Sequence, residues 1–313
     1  MLVSIVVPCY NSSVTIKELC ERVDKALIDH QYELILVNDY SPDNGKTWNE
    51  IVVNAENNNN IIGIDLQKNV GQFASIMCGL NASKGSFIIT MDDDLQQHPE
   101  DIPAMISSIQ NREDIDCYIG KYKNKKHGII RNIGSKLVSK MYEISAQKPK
   151  NLKMGSFRIM RRKLVNSILE HKTKKPIIGP LLLQSTSRIE NIEVNHSRRK
   201  NGTSGYNPLK LITATLDNLF DSTTLPIRIF SLMGIAISLL SIVVGIKYLL
   251  NYYLYGGLVQ GFTTTVLLIT FFGGMTLFGL GLIGQYIDRI VIEVKGGPIW
   301  AERERVGFND DKK

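Results

Sequence analysis

The 313-residue sequence lacks several features that mark common protein classes. Its four cysteines form no C-x-x-C pair, which argues against a disulfide framework and a cysteine-based zinc site. It has no phosphate-binding loop of the G-x-x-x-x-G-K-[ST] or strand-linked G-x-G-x-x-G type, which argues against nucleoside triphosphatases and dinucleotide enzymes. The first residues lack the basic region and long apolar run of a signal peptide, so we expect them to form a strand.

Charge is distributed unevenly along the chain, although the net charge is only +7. Between residues 119 and 210 there are 22 Lys and Arg against 4 Asp and Glu, which leaves 15 basic and 26 acidic residues elsewhere. This basic middle segment suggests an anionic partner such as nucleic acid, an anionic membrane surface or a phosphate-bearing substrate. A solvated basic face explains the charge equally well.

The first third of the sequence alternates short apolar runs with helical patterns. Runs rich in Ile and Val predict strands at 3–8, 33–38, 61–66 and 87–91, and helix-spaced apolar residues occupy 13–28 and 71–83. This alternation predicts an α/β fold with a mostly parallel sheet and helices on both faces. Ligands of such sheets bind beyond the carboxyl ends of the strands, where this chain has Tyr10, Asn11, Asp39 and the run Asp92, Asp93, Asp94.

Two long runs without charge occur near the C-terminus, at 229–246 and 262–287. A helix that crosses a membrane needs about 20 apolar residues, so we expect a two-helix transmembrane hairpin, with a buried core hairpin as the alternative. Arg228 precedes the first run and four basic residues follow the second, which places both flanks in the cytoplasm. Residues 208–226 have apolar residues at helical spacing, as in a membrane-surface helix or an ordinary core helix.

The run MDDDLQ at 91–96 directly follows a predicted buried strand. Adjacent carboxylates repel one another unless a cation intervenes, and Mg²⁺ or Mn²⁺ commonly bridges carboxylates to substrate phosphates. An acidic helix start before Pro99 explains the same residues, because carboxylates also favour helix N-termini. Taken alone, the run leaves both interpretations open.

An ordered set of motifs distinguishes these alternatives. VVPCYN at 6–11, LVNDYS at 36–41, NVGQ at 69–72 and MDDDLQ at 91–96 resemble the forms VPxYNE, VDDxS, NxGQ and MDADLQ of glycosyltransferase family 2. The likeness continues through GSFRIM at 155–160, RxxGxSxY at 199–206 and GQYI at 284–287, and it covers essentially the whole chain. It implies the GT-A fold, and within the family the chain is similar to the polyprenyl-phosphate glycosyltransferases, relatives of dolichyl-phosphate mannose synthase.

The resemblance implies a role for each matching position. Pro8, Tyr10 and Asp39 would line the nucleoside pocket, with Asp39 accepting hydrogen bonds from the base. The metal, Mg²⁺ or Mn²⁺, and the diphosphate would be held by Asp92, Asp94 and Gln96. The lipid phosphate would meet Lys121, Arg131 and Arg199. The candidate catalytic residues are therefore Asp92, Asp94, Arg131 and Arg199, and the candidate substrate-binding residues are Pro8, Tyr10, Asn11, Asp39, Asp93 and Lys121.

Four positions depart from the usual forms. This chain has Ser12 where the family usually has a glutamate and Asp93 where an alanine is common. It has Lys121 at a common arginine position and Ser156 in place of a frequent aspartate. The change at Ser156 leaves the identity of the sugar open.

The resemblance implies an inverting glycosyltransferase that moves a sugar from a nucleotide-diphosphate sugar to undecaprenyl (polyprenyl) phosphate in modifying the cell envelope. UDP-glucose is the first expected donor, with a 4-deoxy-4-formamido-arabinose or a GDP-mannose donor as alternatives. A processive polysaccharide synthase would carry a Q-x-x-R-W motif, which the sequence lacks. The alternative of another class is a catalytically silent membrane scaffold for a lipid-sugar flippase, against which Asp92 and Asp94 argue.

The predicted organisation has four parts: a cytoplasmic GT-A domain at 1–207, a juxtamembrane helix at 208–226, two transmembrane helices at 227–288 and a cytoplasmic tail at 289–313. We expect a multi-pass protein of the inner membrane with both termini in the cytoplasm. Its expected partners are the nucleotide sugar, the lipid and the membrane, with no nucleic acid. The glycine-rich second span suggests a homo-oligomer.

Overall fold

The computed structural model describes residues 1–122, 143, 148–171, 173–174, 176–197 and 261–307, with helical positions scattered between 227 and 254. The chain divides into two compact units. One unit joins Met1–Gly205 to Gly297–Lys313, and the other is Tyr206–Gly296.

The first unit is an α/β domain whose described elements alternate along the chain. Its strands are β1 (Val3–Cys9), β2 (Tyr32–Asn38), β3 (Ile61–Leu66), β4 (Phe87–Thr90), β5 (Cys117–Tyr122), β6 (Arg158–Arg161), β7 (Ile189–Val194) and β8 (Glu302–Val306). Its helices are α1 (Ile16–Ala26), α2 (Lys46–Asn57), α3 (Gln72–Ala82), α4 (Ile102–Gln110), α5 (Arg162–Glu170) and α6 (Ile178–Ser185), with a short 3₁₀ turn at Pro99–Asp101.

The strands form one sheet in the order β7-β5-β6-β4-β1-β2-β3-β8. Six strands run in one direction, whereas β6 is antiparallel to β4 and β5, and β8 is antiparallel to β3. The predicted mostly parallel sheet is confirmed, and the four predicted strands match β1 to β4 within one residue at each end.

Helices cover both faces of the sheet, as predicted. The core on one face joins the sheet to α1, α2 and α4, and the core on the other face joins it to α3, α5 and α6. Strands covered on both sides read as continuous apolar runs, and every residue of β1 and β2 is buried. This packing fixes the carboxyl ends of the parallel strands at one edge.

Strand β8 follows the apolar C-terminal segment and returns to the edge of the sheet beside β3. Its Val306 lies against Gly63, where an added Cβ would come within 2.7 Å of the Val306 side chain and 2.5 Å of Ile51. Glycine at 63 therefore allows β8 and α2 to approach β3 closely. From the sequence we expect only a tail at 289–313, so β8 is a feature that the sequence does not predict.

The second unit contains a long helix, α7 (Phe262–Val294), of 33 residues. At 1.5 Å per residue it is about 50 Å long, which exceeds the apolar thickness of a bilayer. Within the described residues it is the one helix long and apolar enough to span a membrane, over Phe271–Val294, and 11% of its most apolar window is buried. Ten of the eighteen residues of the predicted first run, 229–246, are described and all ten are helical, whereas 208–226 lies wholly outside the described residues.

Candidate active site

The candidate site is built at the edge of the sheet where the parallel strands end. Because β6 runs against its neighbours, its first residues reach the same edge, and Thr90 of β4 lies opposite Arg158 of β6. The segment after β7 also returns there, and His196 forms an isolated bridge with Gln97. Segments far apart in the sequence thus surround the turn that follows β4.

Three side chains from different segments hold the carboxylate of Asp92. Gln72 donates to its Oδ1 at 2.8 Å, and Gln97 and Ser156 donate to its Oδ2 at 2.7 and 2.5 Å. The Gln97 side chain also accepts the backbone N–H of Asp92 at 3.0 Å. Gln97 is 1% exposed, so it works as a buried clamp that fixes both the backbone and the side chain of Asp92.

Asp93 connects the turn after β4 to the turn after β1. Its Oδ2 accepts the backbone N–H of Tyr10 at 3.1 Å and the hydroxyl of Ser12. Ser12 and Asp93 are both departures from the usual family forms, and the structure places them in direct contact. The carboxylate that the family usually carries at position 12 is absent here, and a carboxylate from position 93 reaches the same turn.

Burial dominates the electrostatics of this cluster. It raises the pKa of Asp92 to about 6, assisted by the negative charges of Asp94 and Asp93, while the hydrogen bond from Ser156 opposes the shift. Burial likewise raises the pKa of Asp93. Below about pH 6 a proton therefore competes with any cation at Asp92.

Arg158 lies beneath the cluster with a buried guanidinium. Burial lowers the pKa of Arg158, and its charge stabilises ionised Asp92 in return. Within the described residues its Nη1 is a buried donor without a hydrogen-bond partner. An arginine in this position offsets part of the negative charge without occupying the surface that a ligand would use.

The turn that follows β4 fits a metal held jointly with a substrate. Leu95 has a positive φ of 59°, which turns the chain so that the backbone N–H of Gln96 reaches Asp94 Oδ1 at 3.1 Å. No group of three or more His, Cys, Asp or Glu side chains converges as a metal site in the described part of the chain. Mg²⁺ is commonly bound through one or two carboxylates plus substrate phosphates, so Asp92, Asp94 and Gln96 fit this smaller protein contribution.

Asp39 holds the turn before α3. Its Oδ1 accepts the Val70 N–H at 2.7 Å, and its Oδ2 accepts the Gly71 N–H at 2.9 Å and the Asn69 side chain at 3.0 Å. Gly71 has a φ of 87°, which a residue with a Cβ rarely adopts. Burial raises the pKa of Asp39, and the two backbone N–H groups oppose the shift. The residue predicted to meet a nucleoside base therefore also shapes the NVGQ turn.

The other predicted substrate-binding residues lie at the same edge or outside the described residues. Pro8 is buried within β1, whereas Tyr10 and Asn11 are exposed in the turn after it. Lys121 is exposed near the end of β5, opposite Glu193 of β7 in the strand register. Arg131 and Arg199 lie outside the described residues.

The side chains that support Asp92 are not predicted by the sequence. Gln72 belongs to the NVGQ motif and Ser156 to the GSFRIM motif, so their positions were marked without this role. Tyr122 was not predicted at all; burial and the charge of Asp92 raise its pKa to about 12, and its ring lies 4.1 Å from that of His196. No signal in the sequence pairs Gln97 with Asp92.

Comparison with known proteins gives a consistent family. The family model "Glycosyl transferase family 2" matches residues 4–169. The undecaprenyl-phosphate 4-deoxy-4-formamido-L-arabinose transferase of Proteus mirabilis (strain HI4320) is 31% identical, over 99% of this chain and 96% of its own length. The protein of the same name from Shewanella sediminis (strain HAW-EB3) is 34% identical, over 95% of this chain and 90% of its own.

A solved structure shares the fold. Glucosyl-3-phosphoglycerate synthase from Mycobacterium tuberculosis, crystallised with Mn²⁺, UDP and glucosyl-3-phosphoglycerate, aligns with a TM-score of 0.53 at 15% identity. The alignment covers 71% of this chain and 78% of that chain. At this identity the likeness establishes the GT-A fold alone.

We expect Ser12 and Asp93 to be energetically coupled. Asp93→Ala removes the acceptor of two hydrogen bonds, and Ser12→Glu places a second carboxylate beside Asp93, so each single change should lower the thermal unfolding midpoint. The double change Ser12→Glu/Asp93→Ala restores the usual family pair and should recover most of the loss. Coupling of about 1–2 kcal/mol is expected for residues in contact. Unfolding midpoints of the four purified proteins measure it, and simple additivity would show that the two positions are independent.

Proposed function

Because the chain belongs to glycosyl transferase family 2, we propose that this glycosyltransferase moves a sugar from a nucleotide-diphosphate sugar to the phosphate of a polyprenyl lipid. The observation that carries the proposal is the carboxylate turn after β4, with Asp92 held by three donors beside Asp94 and Gln96. The relatives named as undecaprenyl-phosphate transferases match over at least 90% of their own length, which supports the lipid acceptor.

Asp92, Asp94 and Gln96 would hold Mg²⁺ or Mn²⁺ together with the diphosphate of the donor. When bound, the metal would neutralise negative charge on the departing nucleotide diphosphate. The solved structural neighbour contains Mn²⁺ and UDP, which supports this assignment. The hydrogen bonds from Gln72, Gln97 and Ser156 would keep Asp92 in one orientation and reduce the cost of arranging it during the reaction.

The acceptor chemistry removes the need for a general base. The second pKa of a phosphomonoester is about 6, so near neutral pH the lipid phosphate is largely dianionic and already nucleophilic. Catalysis would then depend on holding the phosphate in line with the sugar and on electrostatic stabilisation of the leaving group. Lys121, at the same edge of the sheet, would help to attract the phosphate, as would Arg131 and Arg199, and the anomeric centre would invert.

The donor sugar has three candidates. UDP-glucose is the first donor expected from the family resemblance, whereas the relatives carry names that specify 4-deoxy-4-formamido-L-arabinose. At 31–34% identity a pocket can change its sugar through few substitutions, so we propose a UDP-sugar donor with these two as the leading candidates. A GDP-mannose donor is the third candidate.

The path of the chain supports an even number of membrane crossings. Strand β8 belongs to the same sheet as β1 to β7, although 206–296 lies between them. A single crossing would put β8 on the opposite side of the bilayer from β3. Within the second unit, a Cβ added at Gly279 would come within 2.6 Å of the Phe230 ring, and the Phe230 and Phe278 ring centroids are 5.6 Å apart, as expected for two paired helices. We therefore propose the two-helix hairpin, with the catalytic domain and both termini in the cytoplasm.

Transfer of radiolabelled sugar to undecaprenyl phosphate tests the reaction. Full-length protein in detergent with Mn²⁺ should label the lipid from one donor of a panel that includes UDP-glucose, the UDP-linked formamido-arabinose and GDP-mannose. Asp94→Asn should reduce transfer at least a hundredfold, because a carboxylate ligand of the metal is lost.

A control in the same assay separates loss of chemistry from misfolding. Asp114→Asn changes an exposed aspartate that pairs with Arg112 on the surface and should leave transfer unchanged. Absence of transfer from every donor, by protein that still binds UDP and Mn²⁺, would refute the lipid acceptor.

Cysteine labelling tests the membrane topology. The four native cysteines are buried, so they should react slowly with a membrane-impermeant maleimide. In intact spheroplasts Tyr253→Cys, which lies in the predicted connector between the spans, should be labelled from outside. Arg305→Cys in β8 should be labelled only after the membrane is opened. Labelling of both positions from the same side would contradict the hairpin.

A further inference from the structure

We propose that Arg303 of β8 is a positioning residue for the nucleotide donor, and that the strand following the apolar segment locks the nucleotide-binding turns. The inference rests on the proposed function, because it takes the turns after β1 and β2, which carry Tyr10 and Asp39, to bind the nucleoside of the donor, as the family resemblance implies. Its basis is a continuous chain of hydrogen bonds from Arg303 to the turn that carries Tyr10.

An irregularity in β8 gives Arg303 its place. In the pairing with β3, Asp65 lies opposite Glu304 and Leu66 lies opposite Glu302, so the register skips Arg303. The extra residue of a bulge is often directed to a special contact near an active site. Since β8 is antiparallel to β3, this residue is at the edge where the parallel strands end.

Arg303 neutralises a carboxylate that has no access to solvent. Asp65 is fully buried, and its Oδ2 accepts Arg303 Nε and pairs with Nη2, while the Arg303 side chain remains 52% exposed. A buried carboxylate without a partner is strongly unfavourable, so β8 must be in place before this part of the sheet edge is stable.

The series of hydrogen bonds continues from Asp65 to the ends of β2 and β1. Asn38 Nδ2 donates to Asp65 Oδ1 at 2.7 Å, Ser41 Oγ donates to Asn38 Oδ1 at 2.6 Å, and Asn11 N donates to Ser41 Oγ at 3.0 Å. Every donor is directed toward the carboxylate of Asp65, so each bond polarises the next.

These hydrogen bonds connect the turns after β1 and β2, which we assign to the nucleotide sugar. Asn11 follows Tyr10, whose N–H donates to Asp93 in the turn after β4. Asn11 and Tyr40 have positive φ values of 55° and 50°, conformations that cost energy in residues other than glycine and persist only where neighbours enforce them. Arg303 Cζ also lies 6.0 Å from the centre of the Tyr40 ring. Arg303 thereby connects β8 with both turns beside Asp39.

Donor kinetics and direct nucleotide binding test the proposal in the full-length protein. Arg303→Gln should raise the donor KM and the Kd for UDP with Mn²⁺ about tenfold or more, because the turns lose their support. At saturating donor, kcat should stay within about threefold of the original value, since the metal ligands and the lipid phosphate contacts are untouched. Arg305→Gln is the matched control, because Arg305 pairs with Glu302 of the same strand; it should change neither constant.

A second variant guards against a merely structural effect. Asp65→Asn with Arg303→Gln replaces the ion pair by two amides that can hydrogen-bond each other, and it should recover UDP affinity to within about threefold. Unchanged UDP affinity in Arg303→Gln would overturn the proposal, as would a fall in kcat and thermal stability with an unchanged KM. UDP binding needs no acceptor, so a shifted Kd in a protein that transfers no sugar would support this inference while refuting the proposed function.

Discussion

The repulsion among three adjacent carboxylates at the end of β4 is the constraint on which the site depends. Asp92 and Asp93 are partly buried, and burial together with neighbouring negative charge raises the pKa of both. The fold compensates with donors to Asp92, with donors to Asp93 and with the buried guanidinium of Arg158. Such an arrangement is costly for a domain that only needs to fold, but it suits a site that awaits a cation and a diphosphate.

Two strands that run against the rest of the sheet supply the distant partners. The start of β6 brings Ser156 to Asp92, and the start of β8 brings Arg303 to Asp65. Parallel strands all end at one edge of the sheet, so an antiparallel strand begins at that edge. The first residues of β6 and β8 therefore lie beside the ends of the parallel strands. The turns after β1 and β2 are thus supported by β8, the strand that follows the apolar helix α7.

The sequence predicted the α/β class, strands β1 to β4 and the site edge because local signals define them. Buried parallel strands appear as continuous apolar runs in the sequence. The polar residues directly after each run can therefore be identified from the local sequence alone. Helices α2, α4, α5 and α6 and strands β5 to β8 were not predicted; β8, for example, is the charged edge segment ERERV, which has no apolar run. The Gln97 clamp and the contact of Ser12 with Asp93 depend on tertiary packing, which no periodicity in the sequence reveals. Arg131 and Arg199 remain predictions that rest on the family resemblance.

We infer above all that Asp92 and Asp94 bind a metal together with a nucleotide diphosphate. Titration of Mn²⁺ into the full-length protein, followed by the electron paramagnetic resonance signal of free Mn²⁺ with and without UDP, tests it most directly. Linkage requires that UDP tighten Mn²⁺ binding as much as Mn²⁺ tightens UDP binding. We expect mutual tightening at pH 7.5, a weaker effect at pH 5.5 where Asp92 takes up a proton, and no tightening in Asp92→Asn. Equal UDP affinity with Mn²⁺ and with a chelator would contradict it.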